Sequence, residues 1–103
     1  MADFIKVATT NDIPPGQVRS FEVDGRRVAL AHVDGAFYAI DDVCTHDGGE
    51  LGEGDLLGDQ IECPRHGARF DVKTGKALTL PAVQGVNSYP VQVEGDEVKV
   101  KVE

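Results

Sequence analysis

The sequence predicts an all-β chain, a small antiparallel domain of short strands. Three observations carry this. Asp24-Gly25 and Asp34-Gly35 lie ten residues apart between apolar-rich segments, and Asp-Gly suits a two-residue hairpin turn, whose central positions call for positive φ. Val98, Val100 and Val102 alternate with Lys99 and Lys101, the period-two pattern of a half-buried strand. No stretch of about 12 residues carries the apolar spacing of a helix.

The elements follow in order. Phe4 to Val7 is the expected first strand, and Asn11 to Gly16, with its Pro14-Pro15 pair, is a loop by composition. Gln17–Val23, Arg26–Val33 and Ala36–Ile40 are expected to pair as a meander through the two Asp-Gly turns. Residues 41–55 hold Gly48, Gly49, Gly52 and Gly54 with little periodicity, which reads as loop and linker. Leu56-Leu57, Gly58-Asp59 and Gln60–Glu62 read as a small hairpin. Arg69–Val72 alternates, and Lys73–Lys76 is a turn. Leu78–Val86 is irregular around Pro81. Tyr89–Val93 is the next strand, Glu94-Gly95-Asp96 a turn, and the valine-lysine alternation closes the chain.

With 103 residues, a single domain over 1–103 is expected. A net charge of −8 and pI near 4.7 speak against nucleic acid and anionic membrane surfaces. They favour a basic protein partner or none. No apolar run approaches the roughly 18 residues of a membrane span. The first residues lack a basic region followed by an apolar stretch, so no signal peptide is expected and cytoplasm is the default. Eight acids lie between Asp41 and Glu62 with no Lys or Arg among them. Arg65, Arg69, Lys73 and Lys76 then outnumber Asp71. The alternation is either solvated loop charge or a field that steers a partner.

Two short pairs hold both cysteines and two of the three histidines: Cys44-Thr45-His46 and Cys63-Pro64-Arg65-His66. Sixteen residues separate His46 from Cys63. Thiolate and imidazole are ligands that soft and borderline metals prefer. A common zinc finger gives two Cys to one knuckle and two His to the other. Here each loop supplies one of each, which suits a two-metal cluster, although a structural zinc site or a Cys44–Cys63 disulfide remains open. Gly48-Gly49 and Gly67 permit sharp turns beside the candidate ligands, and Pro64 stiffens the second loop.

C-T-H at 44–46 and C-P-R-H-G at 63–67 resemble the Rieske motif C-x-H…C-x-x-H. The resemblance covers roughly residues 37–81 in spacing and flanks. It implies a [2Fe–2S] cluster, with Cys44 and Cys63 on one iron and His46 and His66 on the other. It implies a β-sandwich or barrel-like fold, with residues about 41–81 set in as a cluster-binding lobe. It implies a one-electron carrier, not an enzyme, taking electrons from a flavin reductase and passing them to a terminal oxygenase such as a ring-hydroxylating dioxygenase. Electrons would pass on the His46/His66 side. Alternatives are a redox-sensing module or a small reductase subunit.

High-potential members of the family resemble C-T-H-x-x-C and C-P-C-H-G-S-x-Y. This chain has Gly49 and Arg65 at the extra cysteine positions, so no disulfide between those positions can tie the loops. Ala68 and Phe70 replace the Ser and Tyr that would each donate an O–H toward the cluster. The expected potential lies near the low end of roughly −150 to +300 mV. Pro81 either flanks the cluster or ends a strand. His32, on the face of Val28 and Leu30, is expected to be structural.

Overall fold

Three alternating segments pair as a meander, and other described strands pack on its two faces. The computed structural model describes residues 4–43, 51–63, 67–78 and 85–102. β2 (Val18–Val23), β3 (Arg26–Val33) and β4 (Ala36–Asp41) are antiparallel neighbours in sequence order. Val23 pairs with Arg26 and Val33 with Ala36, leaving two-residue turns. Both turns have positive φ at both central residues: 50° and 82° at Asp24-Gly25, 51° and 83° at Asp34-Gly35. That geometry matches the right-handed twist of the flanking strands.

β5 (Asp55–Leu57), β6 (Gln60–Glu62) and β7 (Arg69–Asp71) form a separate three-stranded sheet, reached after β4. Leu57 pairs with Gln60, and Gly58 takes φ 65° in the turn between them. β8 (Ser88–Tyr89) then returns to pair with β4. The last sheet has the order β1-β10-β9, from β1 (Phe4–Thr9), β9 (Val91–Glu94) and β10 (Glu97–Lys101).

Three expectations need correction. Tyr89–Val93 is not one strand. Pro90 has no N–H to offer a ladder, and the chain changes sheets there: Tyr89 pairs with Ala39, while Val91 pairs with Val100. The Asn11–Gly16 loop contains regular structure, a 3₁₀ turn over Thr10–Asp12. Asp12 Oδ2 accepts the Thr9 N–H at 2.9 Å. β1 also runs two residues beyond Val7, with an irregularity between Lys6 and Ala8.

β3 explains the layering. Its side chains alternate between faces, and both faces are buried. Val28 and Leu30 join Ile13, Phe37, Ala39, Val98 and Val100 in one core, against the β1-β10-β9 sheet. Ala29, Ala31 and Val33 join Ile40, Leu51, Ile61, Cys63, Ala68 and Phe70 in the other, against the β5-β6-β7 sheet. Leu30 is 0% exposed, and full burial of such a side chain contributes about 2 kcal/mol. The region packed on the first face is the base, and that on the second is the lobe. His32 is structural, as expected: its ring stacks on Phe37 at 4.1 Å between centroids, and Nδ1 lies 2.8 Å from the Ile13 carbonyl.

Candidate metal centre

Three of the four candidate ligands, Cys44, His46 and His66, lie outside the described residues, as does Pro81. Cys63 is described, and its surroundings are informative. It follows β6 directly, is 1% exposed and belongs to the lobe core. It makes no disulfide. Its N–H donates to the Ala68 carbonyl at 2.7 Å, and its carbonyl accepts the Gly67 N–H at 3.1 Å. These two bonds close the neck of the C-P-R-H-G segment between β6 and β7. Gly67 takes φ 75° there, a conformation open to glycine at little cost. The neck is braced by Glu62 and Arg69, opposite each other in the β6–β7 register and ion-paired at 3.2 Å.

The first candidate loop is tied at its two described ends. β4 leads to Val43, and the chain resumes at Leu51, which is fully buried at the start of a 3₁₀ turn over Leu51–Glu53. The side chain of Asp42 spans the gap: Oδ1 accepts the Gly52 N–H at 2.6 Å. A Cβ on Gly54 would lie 1.9 Å from the Glu62 carbonyl oxygen, so this backbone rests directly on the end of β6. Leu78, Val86 and Asn87, on either side of residues 79–84, are anchored similarly. Leu78 N donates to the Arg69 carbonyl at 2.8 Å, and Val86 N to the Gly75 carbonyl at 2.7 Å. Asn87 N donates to Asp41 Oδ2 at 3.0 Å. The described residues that flank Cys44, His46, His66 and Pro81 in sequence are thus tied to backbone around the lobe.

Sequence reasoning treated Asp41 and Asp42 only as members of an acidic run, and gave Tyr89 no role at the site. The structure separates them. Asp41 accepts the Tyr89 hydroxyl, and Arg26 lies 3.3 Å from that same hydroxyl. Asp42 points to the opposite face, toward Arg27 and the lobe. Strand parity was the available signal: Tyr38 and Ile40 face the lobe, so Asp42 falls on the same side. Ion pairs also temper the acidic field, since Asp59 meets Lys73 at 3.9 Å and Glu62 meets Arg69.

A buried cysteine without a disulfide, in a closed neck with a histidine three residues on, fits a metal–sulfur ligand. Among known proteins, the model of the Rieske [2Fe-2S] domain matches residues 3–90. The chain belongs to the Rieske [2Fe-2S] domain family. A Ralstonia ferredoxin component of naphthalene 1,2-dioxygenase/salicylate 5-hydroxylase systems is 44% identical over 101 residues, covering 98% of this chain and 97% of the relative. The ferredoxin of carbazole 1,9a-dioxygenase from Nocardioides aromaticivorans superposes with a TM-score of 0.93 at 37% identity, covering 97% of this chain and 98% of that one. A ferredoxin solved in complex with the oxygenase of carbazole 1,9a-dioxygenase gives 0.89 at 38% identity, covering 95% and 92%. The chain is a Rieske ferredoxin: an electron carrier with a [2Fe–2S] cluster, and not the oxygenase. Among the described residues, no helix is long and apolar enough to cross a membrane.

Proposed function

We propose that Cys44 and Cys63 bind one iron of the cluster and His46 and His66 the other. In this reading, residues about 41–81 serve as the cluster lobe of a single domain. The chain carries one electron at a time, in the cytoplasm, from a flavin reductase to a terminal oxygenase that hydroxylates aromatic rings. The observation that carries this best is the closed neck at Cys63. It turns Cys63 into the buried core, and the C-x-x-H spacing sets a histidine three residues further along the sequence.

When bound, the cluster supplies a reversible one-electron site. The protein's own residues supply the rest. Cys63, buried, would offer the cluster a sulfur ligand shielded from water. Asp42 and the Gly54–Glu62 approach hold the return of the first loop against β6. Ala68 and Phe70, both fully buried, add no hydroxyl donor beside Cys63, which favours a low potential. In this reading His46 and His66 would be the outer ligands, and the electron would pass on their side. The ferredoxins of naphthalene and carbazole dioxygenase systems supply the partner class.

The test is electron flow itself. The protein reduced by NADH and a flavoprotein reductase should lose its reduced visible spectrum within one turnover when an aromatic-ring oxygenase is added without air. A Cys63→Ser variant should carry no electrons. Reduction by the reductase with no reoxidation by any such oxygenase would contradict the partner assignment.

A further inference from the structure

Asp42 is the one buried polar or charged residue among the described residues. Its side chain is 0% exposed, and Oδ2 lies 3.4 Å from Nη2 of Arg27, whose side chain is 54% exposed. Oδ1 takes the Gly52 N–H at 2.6 Å, and the Asp42 N–H donates to the Arg27 carbonyl at 3.1 Å. A Cβ on Gly52 would sit 1.9 Å from Ser20 Oγ and 3.1 Å from Asp42 Oδ1, so the chain is pressed onto the carboxylate. Asp42 lies two residues before Cys44. Covalent geometry keeps their Cα atoms within about 7 Å.

The backbone bond to Gly52 does not require a charge, because an asparagine oxygen would accept the same N–H. A buried carboxylate costs desolvation that a neutral amide avoids. Its charge must therefore be judged by what lies near it. We propose that the Arg27–Asp42 pair sets the reduction potential of the cluster, the carboxylate lowering it and the guanidinium raising it. This rests on Cys44 being a ligand, as proposed above.

The electron count gives the signs. Two ferric ions, two sulfides and two thiolates sum to zero, and one electron from an electrode leaves −1. A fixed negative charge opposes that electron, and a fixed positive charge favours it. At about 10 Å with an effective dielectric of about 20, one unit charge changes the reduced-to-oxidised ratio roughly tenfold. Arg27, half exposed, is screened by solvent and salt, so its effect is smaller.

The experiment is voltammetry on cluster-loaded Asp42→Asn and Arg27→Gln proteins beside the unmodified protein. At a fixed electrode potential, Asp42→Asn should raise the reduced-to-oxidised ratio about tenfold, a midpoint shift of about +59 mV. Arg27→Gln should lower the ratio, by about threefold. Raising the salt concentration should shrink the Arg27→Gln shift more than the Asp42→Asn shift. A purely structural pair would loosen the same loop in both variants and move both midpoints one way, or neither. Shifts of the same sign, or no shift in either, overturn the proposal. If Asp42→Asn fails to load a cluster, a downward shift in Arg27→Gln supports the proposal, and an upward or absent shift overturns it. A colourless unmodified protein would instead overturn the functional reading beneath it.

Discussion

The base and the lobe share β3 but are held together differently. The base is apolar burial between two sheets: Leu30, Ile13, Val98 and Val100 are at most 0% exposed, and β3 alone runs eight residues. In the lobe, each strand has only three residues. Its core contains Cys63, and its segments touch backbone to backbone at Gly54, Gly75 and Gly85. Sheets of such short strands hold few ladder bonds. The base is specified by pattern, whereas the lobe depends on close approach and ion pairs and, with the ligands proposed above, on the metal its loops would bind.

Glycine substitutions separate the two regions most sharply. A Cβ on Gly75 would lie 2.0 Å from the Val86 carbonyl oxygen, at φ 79°. Gly75→Ala should cost about 3 kcal/mol or more and impair cluster loading, measured by thermal unfolding and iron content. Gly25, in a base turn, has φ 82° and nothing within 4 Å of a Cβ. Gly25→Ala should cost only about 1 kcal/mol and leave loading intact. Equal loss of iron in both variants would erase the distinction.

A finer effect is confined to the lobe core. Ala68→Ser with Phe70→Tyr places hydroxyls where both side chains are now 0% exposed. With a sulfur acceptor in reach, the midpoint should rise. An unchanged or lower midpoint would remove the explanation for a low potential.

The smallest effect concerns the seam between regions. Partial burial, then the hydrogen bond to Asp41 and its charge, raise the Tyr89 pKa from 10.0, against a lowering by Arg26. The phenol is thus protonated more firmly in the folded chain than in the unfolded one. Its stabilisation is full below about pH 10 and is lost as pH rises through the folded value. Tyr89→Phe should cost about 1 kcal/mol at neutral pH, and the two denaturation midpoints should converge above pH 10. A constant difference up to pH 11 would refute this.

Much of the base was legible in the sequence. Asp24-Gly25 and Asp34-Gly35 announce turns that only a positive-φ pair can make, and the Val98–Val102 alternation fixes which side of β10 is buried. The break at Pro90 was less visible, because a proline inside an apolar run marks either a strand edge or a change of sheet. The ligand spacing pointed to the family. The contacts around the lobe did not show in the sequence, since a glycine's neighbour is set by tertiary approach: nothing local says that Gly75 meets Val86. Asp42 could have been placed by parity from Ile40, but its partners, Gly52 and Arg27, come from separate parts of the fold.

The most direct test is electron paramagnetic resonance of protein purified without air and reduced with dithionite. The account predicts a brown protein whose reduced form gives a rhombic signal of low average g, as expected of a [2Fe–2S] cluster with two histidines on one iron. Substituting His46 or His66 should abolish it. A colourless protein with bound zinc and no signal, or a signal that survives both histidine substitutions, would contradict the ligand set on which the lobe is built.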